Sequence, residues 1–190
     1  MNVNIVDLTS DQPDYIEQTV RLLIDAFLNS GTPAWKTMES ALEEVYESLA
    51  PGRISRIALG EHGRVAGWIG GIPEYDGHVW ELHPLAVHPN IQRQGIGHAL
   101  VADFETQVRS RGGLTIMLGT DDEADLTSIG GIDLYPDPLT HLTQITTRGN
   151  HPFTFYQKMG FALVGVIPDA NGFGKPDILM AKRVGFTKTR

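Results

Sequence analysis

The chain has 190 residues, no cysteine and a formal net charge of −8. Its length fits one domain, 1–190, with a core large enough to fold alone. The acidic balance argues against a nucleic-acid partner, which needs a basic face, and the lack of cysteine excludes disulfides, thiolate metal sites and a cysteine nucleophile.

The N-terminus, MNVNIVDLTSDQPDY, has no basic stretch leading into an apolar run, so no secretory signal is expected. No apolar run is long enough to span a bilayer, and a cytoplasmic protein without a membrane partner is the expectation. NVNIVDL alternates like a first strand. Pro13, behind Ser10 and Asp11 as candidate caps, opens a helix in which Ile16, Val20, Leu23 and Phe27 recur at helical spacing. ESALEEVYESL reads as a second helix with Leu42, Val45, Tyr46 and Leu49 on one side. RISRIALGEHGRVAGWIGGI reads as two strands joined at His62-Gly63, and HVWELHPLAV as a third.

IGHALVADFETQVRSRG is a helix ending in Arg109, Arg111 and a glycine pair. LTIMLGT is a buried strand, FTFYQKMG a short helix stopped by Gly160, and FALVGVIP and DILMAKRV are closing strands. Between them, DDEADLTSIGGIDLYPDPLTHLTQITTRGNHP is too long for a plain connection; it holds either functional contacts or short elements of its own. The order predicts a mixed α/β fold around a single sheet.

The stretch LAVHPNIQRQGIGHAL, Leu85 to Leu100, is a strand, a glycine loop and a helix start. Gly95 and Gly97 remove the Cβ atoms that would keep a phosphate from the backbone. The helix N-terminus points its free N–H groups at the same place, and Arg93 adds a positive charge. Taken alone, the loop is also compatible with a tight turn that binds nothing. On the preceding strand Glu81 and His83 are two residues apart and share a face. They are either a proton-handling pair or a solvated Glu beside a structural His. His78, His83 and His88 are five apart and alternate faces, so no metal site is expected.

Gln-Arg-Gln-Gly-Ile-Gly after LAVHP resembles the acetyl-coenzyme-A loop of the GCN5-related N-acetyltransferases (GNAT), and FYQKMGF, Phe155 to Phe161, resembles the helix and strand that close the coenzyme site there. WELHPLAV, RGGLTIMLGTDD, DLY, HPFTFYQKMGF and VGVIPDANGFGKPDILMAK are together similar to the aminoglycoside 6′-N-acetyltransferases. The resemblance implies a central, mostly antiparallel twisted sheet flanked by helices, acetyl-coenzyme A as co-substrate, and direct attack by the 6′-amine of an aminoglycoside in a ternary complex, an antibiotic-resistance activity. It also implies a homodimer.

In that resemblance the backbone of Leu85, Ala86 and Val87 pairs with the pantetheine arm. Arg93, Gln94, Gly95, Ile96, Gly97 and His98 hold the pyrophosphate. Glu81 and His83 bind and deprotonate the acceptor, and the Tyr156 hydroxyl serves the departing sulfur. Tyr156 is otherwise a half-buried aromatic anchor. Asp121 and Asp122 bind a polycationic sugar or cap the next segment. Trp35 and Tyr75 are candidate sugar-stacking rings, and Asp177 a further amine ligand. GTPAW, Gly31 to Trp35, falls where this fold places an acceptor loop. Two alternatives stand beside this reading: an acetyltransferase for another amine (a protein N-terminus, a lysine, a polyamine), and a non-catalytic acyl-coenzyme-A-binding module.

Overall fold

In a computed structural model that describes residues 3–28 and 35–185, the chain divides into two compact units. The first extends to Ile116 and takes up the chain again from Val184; the second is Met117–Arg183. The described residues form seven strands flanked by helices, the mixed α/β class expected.

In the first unit β1 (Asn4–Asp7), β2 (Ile54–Leu59), β3 (Val65–Glu74) and β4 (Val79–Val87) lie in that order, each antiparallel to the next. α1 (Pro13–Phe27) and α2 (Met38–Ser48) precede β2, and α3 (Ile96–Ser110) follows β4. α1 begins at Pro13 but behind Gln12, and neither Ser10 nor Asp11 caps it. The Asp11 carboxylate is turned back onto the Thr9 hydroxyl instead. α1 buries Ile16, Val20 and Leu23, as its periodicity requires.

α2 corrects the expected face. Ala41, Val45 and Ser48 point inward, while Leu42 and Tyr46 are 39% and 53% exposed. Ala41 is small enough for α2 to approach α1 closely. The Ser48 hydroxyl donates to the Val45 carbonyl at 2.6 Å and bonds Ser55 Oγ at 2.9 Å, which accepts from Trp68 Nε1 at 3.0 Å. A polar residue is therefore satisfied where a larger apolar one was expected.

α3 packs on β2, β3 and β4 through Ile96, Leu100, Val101, Phe104 and Val108. A Cβ on Gly71 would come within 2.3 Å of the Phe104 ring, so β3 carries no side chain where the helix sits. Arg56 of β2 fastens the same helix, its Nε and Nη2 donating to Asp103 at 2.8 and 3.0 Å. β4 alternates half-buried and buried residues along its length, with Glu81, His83, Leu85 and Val87 half-buried. Its pairing with β3 slips midway: Gly71 faces Leu82 and Ile69 faces Leu85, leaving His83 and Pro84 opposite Gly70.

The second unit contains β5 (Thr115–Asp121) from Met117 on, α4 (Pro138–Thr143), α5 (Phe153–Lys158), β6 (Ala162–Ile167) and β7 (Asp177–Arg183), with β6 and β7 antiparallel. The long connection after β5 holds short elements. Asp137 caps α4, its Oδ2 accepting from Thr140 Oγ1 at 2.6 Å. Thr127 bridges Thr147, and Arg148 Nη1 donates to the Gly130 carbonyl at 3.2 Å. Among the described residues no helix is long and apolar enough to cross a membrane.

A Cβ on Gly70 would lie 2.3 Å from the His83 carbonyl oxygen, a backbone atom that no side-chain movement can relieve. Gly70→Ala is therefore expected to destabilise the protein by about 2 kcal/mol or more. Chemical denaturation of both proteins measures this, and a midpoint within error of wild type would contradict the bulge.

Candidate active site

The loop after β4 is built by local bonds. His88 Nδ1 accepts from the Asn90 N–H at 3.3 Å, Pro89–Ile91 make one 3₁₀ turn, and Gln92 Nε2 donates to the Val87 carbonyl at 3.2 Å. Arg93 then adopts φ 62° and Gly95 φ 88°, the left-handed region. Gly95 is the N-cap of α3 and supplies no side-chain cap. Gln92 through Gly95 are exposed, whereas Ile96 is 1% exposed and anchors the helix start. A first turn without a side-chain cap, beside an exposed guanidinium, fits a pyrophosphate group. Leu85, Ala86 and Val87 pair on one side with Ile69, Trp68 and Gly67.

Glu81 and His83 lie on the half-buried side of β4. The Glu81 carboxylate makes no hydrogen bond or ion pair with any described residue. Trp35, 8% exposed, sets its ring 5.8 Å from that of His83 and edge-on to Phe27 at 5.0 Å. Gly31–Ala34, the rest of the expected acceptor loop, lie outside the described residues. Trp35 Nε1 donates to Glu44 Oε2 at 3.3 Å, and Glu44 Oε1 is 3.8 Å from His83 Nε2.

Glu44 was not among the expected residues. In sequence it is one of four acids on α2, and only the inner face formed by Ala41, Val45 and Ser48 would have singled it out. Tyr75 lies on the β3–β4 turn with φ 50°, 73% exposed, and its ring stacks on no described residue. A groove of about 700 Å³ along α2, between Glu39, Leu42, Glu43, Tyr46 and Glu47, involves none of the expected residues.

The remaining expected residues belong to the second unit. Tyr156 is 8% exposed, its ring edge-on to Phe155 and Phe161 at 5.1 and 5.6 Å, and its hydroxyl bonds no described residue. Burial pushes its ionisation well above the ordinary value of 10.0. Asp122 is 1% exposed and caps the following segment. Its Oδ1 accepts from Leu126 N–H at 2.7 Å, and its Oδ2 from Thr127 N–H and Oγ1 at 2.9 and 2.6 Å. With both oxygens occupied, the capping role is the one its geometry supports. Asp121 is exposed and accepts from Asn171 Nδ2 at 2.5 Å. Asp177, half-buried at the start of β7, sets its carboxylate against Gly119, where a Cβ would lie 2.5 Å from Oδ2.

His151, 2% exposed, is a residue that sequence reading did not single out. Its Nδ1 accepts from the Phe153 N–H at 3.2 Å, so its Nε2–H donates to the Asp121 carbonyl at 3.0 Å. Desolvation holds the imidazole below its ordinary value of 6.5, against the opposing effects of the Asp121 carbonyl and the Asp122 and Asp121 charges.

A sequence profile of the acetyltransferase (GNAT) family matches residues 17–135. A solved structure of an aminoglycoside 6′-N-acetyltransferase complexed with coenzyme A is 37% identical, with 98% of this chain and 99% of that chain covered and a TM-score of 0.88. The structure of the aminoglycoside 6′-N-acetyltransferase from Enterococcus faecium matches at the same values. An aminoglycoside 6′-acetyltransferase type Ii is 36% identical over 95% of this chain and 97% of its own, with a TM-score of 0.72. No curated protein sequence matches the chain.

The buried His151 makes folding stability pH-dependent. The unfolded chain takes up a proton near pH 6.5, while the folded imidazole resists it to lower pH. Stability is therefore expected to fall as pH drops from about 6.5 through the folded value, by at most about 1.4 kcal/mol per pH unit. His151→Gln, neutral throughout, should flatten that part of the curve. Thermal melts between pH 7.5 and 5 check it, and an unchanged slope in the variant would refute it.

Proposed function

We propose that this chain, which belongs to the acetyltransferase (GNAT) family, transfers an acetyl group from acetyl-coenzyme A to the 6′-amine of an aminoglycoside. The observation that carries the acceptor half is Glu81: a half-buried carboxylate without a partner among the described residues, two residues from His83 on the same side of β4. Holding such a charge away from water is costly, and an ammonium is the partner that offsets the cost. Likeness over 98% of the chain to structures of aminoglycoside 6′-N-acetyltransferases supports that acceptor class, and the coenzyme A in one of them supports the donor.

The acceptor amine arrives as an ammonium. Glu81 binds it and, with His83, directs the loss of one proton, leaving a lone pair on nitrogen. Acetyl-coenzyme A supplies a thioester, at whose carbonyl carbon that pair forms the C–N bond while the C–S pair leaves on sulfur; the nitrogen then gives up its second proton, and the sulfur takes up one to leave as the free thiol. The backbone of Leu85, Ala86 and Val87 holds the pantetheine arm, and Arg93 through His98 hold the pyrophosphate. Tyr156, its ionisation suppressed by burial, hydrogen-bonds the departing sulfur and protonates it as a relay, taking up the nitrogen's second proton as it gives its own. Trp35 offers a sugar-facing ring, and Tyr75, Asp121 and Asp177 are outer contacts. A cytoplasmic location and a homodimer go with this reading.

Free-thiol release from acetyl-coenzyme A tests it, with kanamycin, a 6′-hydroxyl aminoglycoside, spermidine and a lysine peptide compared. Turnover is expected with kanamycin and not with the 6′-hydroxyl drug. Glu81→Gln should lower kcat/KM by about 100-fold or more with coenzyme binding unchanged. A protein that binds coenzyme but turns over no aminoglycoside overturns the acceptor and leaves the family assignment standing.

A further inference from the structure

The geometry points to Glu44 as a positioning residue that orients His83 and balances the charge His83 gains when it takes the acceptor's proton. The identity of that proton donor rests on the acetyl-transfer reading; the arrangement of the three side chains does not. Glu44 has a side chain only 18% exposed, and it divides its two oxygens between two partners. Oε2 accepts the Trp35 indole N–H at 3.3 Å, and Oε1 faces His83 Nε2 at 3.8 Å. The indole is itself held, with Phe27 of α1 edge-on at 5.0 Å and the imidazole at 5.8 Å. A carboxylate fixed in this way favours a hydrogen on the ring nitrogen it faces, Nε2, which leaves the lone pair on Nδ1.

The 3.8 Å separation is longer than a neutral hydrogen bond and within ion-pair range. The pair therefore gains most when the imidazole is charged. An acceptor ammonium passes one proton to Nδ1, directly or through a water. The N–H electron pair stays on the acceptor nitrogen, the ring becomes imidazolium, and Glu44 neutralises it. The His83 side chain is 43% exposed, which gives the proton a route to solvent. Of the groups around His83, α2 presents Glu44, β4 itself presents Glu81, and β3 presents only Gly70. The α1 side is screened by the Trp35 and Phe27 rings. Among the described residues no other charged group pairs with His83.

Glu44→Gln separates this role from simple support of Trp35, because the amide oxygen still accepts the indole N–H while the charge is gone. In coenzyme-free protein, NMR titration of the His83 ring protons should move to lower pH in the variant, the direction that loss of a facing negative charge requires. The acid limb of kcat/KM for kanamycin should move the same way, with kcat lowered and KM little changed. Glu44→Asp should restore most of the limb, and E44Q should cost nothing further in a His83→Asn background. If E44Q leaves the His83 titration unmoved, or changes only the melting temperature, the proposal is overturned. A titration that moves in a protein with no aminoglycoside turnover supports the Glu44–His83 coupling and refutes the acceptor reading instead.

Discussion

Where β3 passes β4 at Gly70, two residues of β4 occupy the place of one, and the His83 carbonyl sits where a side chain of β3 would be. Only a residue without a Cβ admits that contact. β4 consequently keeps one register with β3 as far as Leu82 and another from Leu85 onward. Glu81 belongs to the first register, and the strand proposed to hold the pantetheine arm belongs to the second. The half-buried side continues through both. One bulge thus keeps Glu81, His83, Leu85 and Val87 on the half-buried side while bending the strand between the two registers.

The loop beyond β4 is held by packing rather than by local preference. A non-glycine residue in the left-handed region costs about 1–2 kcal/mol, and a glycine N-cap in place of a side-chain cap forgoes a few tenths of a kcal/mol. Arg93 and Gly95 incur both. Against this, Ile96, Leu100 and Phe104 are all at most 1% exposed, each side chain contributing about 1.5–3 kcal/mol through burial. The bidentate Arg56–Asp103 pair adds a fixed orientation. The balance favours an anchored first turn whose N-cap residue supplies no side-chain cap, an arrangement suited to binding an anion.

Much of this was legible in the sequence because it rests on period and on glycine. The two-residue spacing of Glu81 and His83 held along β4, and the glycine loop did open a helix at Ile96. The first family signature, Gln92 to Gly97, lay in the same stretch and within the residues the family profile matches. The face of α2 was not legible, because Leu42 and Tyr46 outweigh Ala41 and Ser48 on any hydrophobic count. The inner face is set instead by how closely α2 approaches α1 and by a serine pair that closes on itself. Misreading that face hid Glu44, whose significance comes from neighbours on other elements. Asp122 had two readings in sequence, and only its partners, four and five residues on, separate them. The order in residues 123–150 comes from such contacts, which carry no periodic signal.

The formal charge of −8 says little about which cation this protein takes. Exposed carboxylates interact with solvent charges by at most about 1 kcal/mol each and are screened by salt. The informative acids are those withdrawn from water, and they divide by what they face. Asp122 is consumed by backbone N–H groups, and Asp103 by a guanidinium. Glu44 is divided between an indole and an imidazole, with one oxygen set for a charge that appears only on protonation. Glu81 alone among these has no partner among the described residues. A half-buried carboxylate with no partner among the described residues, beside an imidazole faced by a second carboxylate, is the arrangement proposed to receive an ammonium and to take a proton from it. That local arrangement, and not the overall acidity, ties the first unit to amine chemistry.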